Sequence, residues 1–161
     1  MTGPVAIRIG VIGSGENDER VASLARETGR AIALAEAVLV CGGLGGVMAA
    51  AAEGAAAVGG SVLGLLPGED ATAAAPGVTI PVPTGVGQAR NVLVVRTSDV
   101  VIAMAGGWGT LSEASFCRKL RVPLVGLCDT LPDIFEIPRF EEPAAAVARA
   151  LELAGAGREE A

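Results

Sequence analysis

The residues best equipped for chemistry form one short run, Ala105-Gly106-Gly107-Trp108-Gly109-Thr110-Leu111-Ser112-Glu113, in which glycines follow an apolar, strand-like segment and a carboxylate closes the start of a helix. Glycine tolerates positive φ and lets a ligand approach the backbone. The first turn of a helix adds N–H groups that have no internal partner, at the positive end of its dipole. The run therefore reads as an anion-binding turn with a carboxylate attached. Thr110 to Glu113 also has the spacing of a capping box, in which the two side chains close the first helical turn and do nothing else. Local sequence leaves both readings open.

The rest of the composition narrows the chemistry by exclusion. There is no histidine in 161 residues, which rules out Ser-His-Asp catalysis and imidazole metal sites. Three cysteines, Cys41, Cys117 and Cys128, are odd in number, far apart and set among apolar residues, so they are expected to be reduced and buried rather than disulfide-bonded or metal-binding. Cys41 precedes Gly42-Gly43 as a nucleophile would, but no imidazole base exists to activate it. The net charge of −6 is concentrated in residues 122–161, which hold 3 basic and 8 acidic side chains, and this argues against nucleic-acid binding. Between Arg30 and Arg118 the only cations are Arg90 and Arg96. A phosphate bound there would be held mainly by backbone N–H groups, with those two arginines as counter-charges.

The elements that must position this run follow from periodicity. Strands are expected over 6–12, 38–41, 61–66, 78–82, 100–104 and 124–127, and helices over 16–35, 47–58, 110–120 and 143–154. The segment 91–96 has the β-branched content of a strand, while the β-α alternation around it favours a helix. Glycine-rich turns at 13–15, 42–46 and 106–109 each follow a strand. The fold implied is a three-layer, doubly wound α/β domain over residues 1–155, Rossmann-like, with a mostly parallel sheet and an acidic tail at 156–161. In such folds ligands gather at the C-terminal ends of the strands, where the three turns would converge. The scarcity of aromatics, at 2%, calls for a core of small aliphatic side chains. No apolar run is long enough to span a membrane and no leader pattern opens the chain, so a soluble, cytoplasmic protein is expected.

Familiar glycine motifs fail. A dinucleotide fingerprint would need glycine at position 18 and finds Asp18, and a Walker A loop would need G-K-[ST], whereas Lys119, the only lysine, lies in Arg118-Lys119-Leu120-Arg121. Gly106-Gly107-Trp108-Gly109-Thr110-Leu111-Ser112-Glu113, however, resembles the G-G-x-G-T-x-x-E signature of the LOG-like Rossmann proteins, the group labelled possible lysine decarboxylases. Two further blocks, Cys41-Gly42-Gly43-Leu44-Gly45-Gly46-Val47-Met48 and Gln88-Ala89-Arg90-Asn91, are similar to that superfamily's in order and spacing, and the likeness runs from about Ile9 to Val125.

The resemblance implies a nucleotide-binding protein. One branch of the superfamily hydrolyses the N-glycosidic bond of nucleoside 5′-monophosphates to free base and ribose 5-phosphate, through an arginine and the signature glutamate, which correspond here to Arg90 and Glu113. Another branch consists of non-catalytic molybdenum-cofactor carriers, and a nucleotide sensor is a related alternative. By the same likeness the phosphate would meet the N–H groups of Gly106, Gly107, Gly109 and Thr110, and of Gly43, Gly45 and Gly46. Gly13 and Ser14 would line the site, with Ser14 either adding a hydroxyl donor or only bracing its turn, and Met48 would either touch a base or pack in the core. The family also places 91–96 on a helix. No cofactor is required beyond a bound nucleotide or molybdenum cofactor, no metal site is expected, and relatives' habits imply a homodimer or larger assembly, with the apolar 92–95 face as a candidate contact. The hydrolases carry proline and lysine where this chain has Ala105 and Asn91, and a longer second glycine turn, which marks this chain as a shorter branch. Decarboxylation through a pyridoxal phosphate Schiff base is disfavoured, because Lys119 sits late in a helix, where a solvated cation is the ordinary outcome.

Overall fold

Apolar runs such as Val38–Cys41, Val100–Ala103 and Leu124–Leu127 lack the polar alternation of a half-exposed strand, because helices cover them on both sides. A computed structural model describes residues 5–128 and 131–159. Its elements are β1 (Arg8–Ile12), α1 (Glu19–Leu34), β2 (Val38–Cys41), α2 (Val47–Ala56), β3 (Val62–Leu66), β4 (Ile80–Pro83), α3 (Arg90–Thr97), β5 (Val100–Ala103), α4 (Trp108–Leu120), β6 (Leu124–Leu127), β7 (Arg139–Phe140) and α5 (Pro143–Glu159). All seven strands are parallel, in the order β4-β3-β2-β1-β5-β6-β7. The doubly wound α/β fold is thus established.

Two hydrophobic layers flank the sheet. On one face α1, α2 and α5 bury Ile32, Ala51 and Val147 against Ile9, Leu39 and Ile102; on the other, α3 and α4 bury Val94, Val95 and Ala114 against Ile12, Val40 and Val101. After β1 the chain winds toward β2, and after β5 it winds the opposite way toward β6, although β1 and β5 are hydrogen-bonded neighbours. The loops leaving these two strands diverge and open a crevice, the usual ligand position in open parallel sheets.

Segment 91–96 is helical, as the resemblance implied, and Val94 and Val95 are fully buried against the sheet, so its β-branched residues serve packing rather than strand pairing. Several other expectations change. The 92–95 face is consequently not a free apolar surface: only Val92 and Leu93 reach solvent. A seventh strand, two residues long, was too short for any periodicity to show. The last helix extends to Glu159, so residues 156–159 of the expected tail are helical, and 160–161 lie outside the described residues. Cys41 and Cys117 are buried, and Cys128 is half-buried. No helix among the described residues is long and apolar enough to cross a membrane.

α1 and α2 meet backbone to backbone. A Cβ built on Gly29 would strike the carbonyl of Ala51, and one on Gly54 would strike the carbonyl of Arg26. These main-chain atoms cannot rotate aside as a side chain would. Gly54→Ala should therefore lower stability by about 2–4 kcal/mol, even though alanine is the better helix former by about 1 kcal/mol. Urea denaturation would measure it, and a variant as stable as its parent would show that the helices can separate without cost.

Candidate functional site

The site is assembled by main chain before any side chain enters. As the backbone leaves β1, the Ser14 N–H donates to the Ala105 carbonyl (2.7 Å) beyond β5, and the Ser14 carbonyl accepts from the Val47 N–H (2.9 Å) at the start of α2. Gly13 gives Val47 its space: a Cβ there would lie 2.8 Å from a Val47 methyl. Gly46, at φ +62°, lies so close to the Ser14 carbonyl that no side chain fits. Gly106 likewise yields its side-chain space to Thr110. The three glycine turns are thereby held together at one edge of the sheet.

The helices that follow these three turns differ in what their first N–H groups do. Asp18 caps α1, accepting from the N–H groups of Arg20 and Val21, so the position that fails the dinucleotide fingerprint fills its own helix terminus with a carboxylate. The first N–H of α2 goes to Ser14. α4 starts on Gly107, with no side-chain cap. The capping-box reading is therefore corrected: the helix begins two residues before Thr110, which lies inside its first turn and is buried, and Glu113 lies a turn further on. The first N–H groups of α4 have no helical partner.

A cavity of about 340 Å³ opens in front of that turn. Of the expected site residues, Gly13, Ser14, Met48, Arg90, Gly107, Gly109, Thr110 and Glu113 line it. Gly43, Gly45, Gly46 and Gly106 do not. Gly43 holds a turn at φ +74° and its carbonyl accepts from the Ala75 N–H; Gly45 and Gly46 pack on the first turn; Gly106 packs against Thr110. In this arrangement they pack backbone against backbone beside the cavity. Ser14 Oγ accepts from the Glu16 N–H (3.0 Å), so it braces its turn while also facing the cavity, and Met48 both lines the cavity and packs on the core. Arg96 and Lys119 are exposed and line no part of it.

Further lining residues carried weaker signals or none. Leu44, Gln88 and Asn91 lie within the quoted sequence blocks without having been assigned a role, whereas Glu16 follows a glycine turn with nothing to distinguish it.

The chemical centre is a buried ion pair. Arg90, on the first turn of α3, is 5% exposed, and Glu113 is 6% exposed. Their closest approach, Nη1 to Oε1, is 3.7 Å, too long for a hydrogen bond. Nη1 instead donates to Asn91 Oδ1 at 2.6 Å, and Arg90 Nε is buried with no partner among the described residues. The guanidinium rests over Gly42, where a Cβ would come within 2.7 Å of Nη2. Burial pushes the Glu113 carboxyl up from its ordinary 4.5 to about 7, and Arg90 opposes the rise. Burial also lowers Arg90 from its usual value, with Glu113 opposing. Cys41, at the end of β2, is raised by burial to about 11, so it is a thiol rather than a nucleophilic thiolate at neutral pH.

The raised Glu113 value links pH to stability. Below 4.5 the carboxyl is protonated in both folded and unfolded chains. As pH rises from 4.5 to about 7 the unfolded chain releases its proton first, and stability falls. Glu113→Gln has no such proton to lose. Relative to the parent, it should gain up to about 3 kcal/mol between pH 5 and pH 8 in paired urea denaturations. A difference between the two proteins that stays constant with pH would show that Glu113 titrates normally.

Comparison with known proteins agrees with this architecture. The chain superimposes on the molybdenum cofactor binding protein of the phototrophic bacterium Rippkaea orientalis with a TM-score of 0.87, at 31% identity, covering 94% of this chain and 99% of that one. It matches the molybdenum cofactor carrier protein of Chlamydomonas reinhardtii with a TM-score of 0.84, at 32% identity and the same coverage. An uncharacterised protein of Archaeoglobus fulgidus is 43% identical over 113 residues, 70% of this chain and 74% of that protein. The family model described as SLOG cluster4 matches residues 6–152. On that match, which spans almost the whole chain, the protein belongs to the SLOG cluster4 family.

Proposed function

We propose that the protein binds the molybdenum cofactor as cargo, by its phosphate and its heterocycle. The observation that carries this reading is the uncapped start of α4 opening into a cavity that already contains a buried arginine. Helix-terminal N–H groups suit a phosphate without any further cation, and among the described lining residues Arg90 is the one cation. Leu44 and Met48 offer apolar contact to a ring, while Gln88, Asn91 and Glu16 offer polar edges to its ring nitrogens and carbonyl. Among the described residues the cavity lining has no histidine and no cysteine, so the donor set suits a cargo gripped by its organic part rather than by its metal. Two of the solved structures that cover nearly the whole chain are named for molybdenum cofactor binding and carriage, which supports the same reading.

One observation favours a second reading, hydrolysis of the N-glycosidic bond of a nucleoside 5′-monophosphate. The Glu113 carboxyl lines the cavity, makes no hydrogen bond among the described residues, and has a pKa of about 7, where one group can both give and take a proton. With a ribose phosphate on the α4 turn, this carboxyl would face developing positive charge on the sugar.

One set of measurements separates the readings. Purified protein is titrated with molybdenum cofactor and, separately, incubated with a panel of nucleoside 5′-monophosphates while free base and ribose 5-phosphate are followed. The expected result is saturable cofactor binding without base release. Gly109→Leu should weaken binding at least about tenfold with the fold retained, because a Cβ there meets nothing closer than Asn91 Nδ2 at 4.0 Å and its side chain would occupy the cavity. Base release that disappears in Glu113→Gln would replace the carrier reading with the hydrolytic one. Neither binding nor release would overturn both.

A further inference from the structure

The hydrogen bonds around Arg90 have a direction fixed by chemistry. A guanidinium only donates, so the atom of Asn91 facing Nη1 must be the amide oxygen, and the amide nitrogen must face the other way. There Asn91 Nδ2 donates to Ser112 Oγ (3.0 Å), and the serine hydroxyl, with its acceptor side used, donates to the Gly109 carbonyl (2.7 Å). The chain Arg90–Asn91–Ser112–Gly109 therefore runs one way, from the buried cation on α3 to the turn that begins α4. Arginine and carboxylate groups in direct contact usually sit near 2.8 Å, often with two parallel bonds. Here the carboxylate is at 3.7 Å, and the amide at 2.6 Å has taken its place.

We propose that Asn91 is a positioning residue: by accepting from Arg90 Nη1 and donating to Ser112, it holds the guanidinium off the Glu113 carboxyl and ties it to the α4 turn. This goes beyond the proposed function and concerns contacts within the chain, so it stands whether the cargo is a pterin or a nucleotide. Its immediate consequence falls on Glu113. The groups facing that carboxyl are Arg90 from α3, Cys41 from β2, Cys117 from its own helix, and Glu16 across the cavity from the β1 turn. Arg90 is the single cation among them. How closely it can approach sets how readily Glu113 ionises.

The test follows the Glu113 carboxyl by carbon NMR in the full chain labelled at glutamate Cδ, with the Glu113→Gln spectrum assigning the signal. Asn91→Leu removes the competing acceptor, and Arg90 should turn to Glu113 and lower its titration midpoint by about one pH unit or more. Asn91→Asp keeps the acceptor and adds a negative charge, so the midpoint should hold or rise. A merely structural asparagine would not separate the two variants in this way. An unchanged midpoint in Asn91→Leu, or a fall in Asn91→Asp, would overturn the proposal, and the second result decides alone if the leucine variant does not fold. A protein that binds no ligand but shows the opposed shifts would sink the proposed function and leave this inference intact.

Discussion

The two backbone hydrogen bonds of Ser14 are the constraint on which the rest of the site depends. In a sheet wound in opposite directions from neighbouring strands, the loops leaving β1 and β5 diverge, and the gap between them needs a tie. The Ser14 N–H reaches across to Ala105, and its carbonyl reaches to Val47. Such a tie is short only if nothing protrudes between the chains, which explains why glycine occupies positions 13, 46 and 106, where side chains would collide with Val47, the Ser14 carbonyl and Thr110. Four glycines, Gly13, Gly15, Gly107 and Gly109, consequently expose main chain in the cavity wall beside side chains such as Leu44, Met48 and Gln88.

Into this nearly uncharged frame the chain sets one buried cation and one buried carboxyl. Gly42 leaves the space over which the guanidinium lies, and α4 carries Glu113 to its side without a direct hydrogen bond. Desolvation penalises both charges, and their separation denies them full compensation, which is how an ordinary glutamate comes to hold its proton near neutrality. Such a group can donate to a ligand oxygen at one pH and accept at another. The pair sits in a fold that this SLOG cluster4 chain shares with proteins described as molybdenum cofactor binding and carrier proteins.

Much of the fold was legible because parallel sheets bury both faces and mark their strands with unbroken apolar runs. The segments 38–41 and 124–127 coincide with β2 and β6, and the three glycine turns lie together as their positions after strands implied. Arg90 and Glu113 stand on different helices and no spacing rule links them; only the family resemblance pointed to the pair, and the fold brings them to one cavity. Misreadings arose where tertiary context overrode local rules. Thr110 to Glu113 has the letters of a capping box, but Gly107 starts the helix earlier. Val94 and Val95 have strand-like side chains, and there the family resemblance, not propensity, gave the helix that packs them into the core. The role of Asn91 was invisible, since its partners Arg90 and Ser112 become a network only when α3 and α4 are side by side.

The outermost strands have a consequence for how copies of this molecule can meet. β4 carries prolines at alternate positions, Pro81 and Pro83, and β7 is two residues long. A proline has no N–H to offer, and a two-residue strand offers almost no ladder, so neither margin can template an added strand from another chain. Growth of the sheet into a fibre or a β-bridged dimer is closed off at both ends. Any assembly this protein forms would therefore rest on side chains of its helices and loops rather than on a sheet continued from one copy into the next.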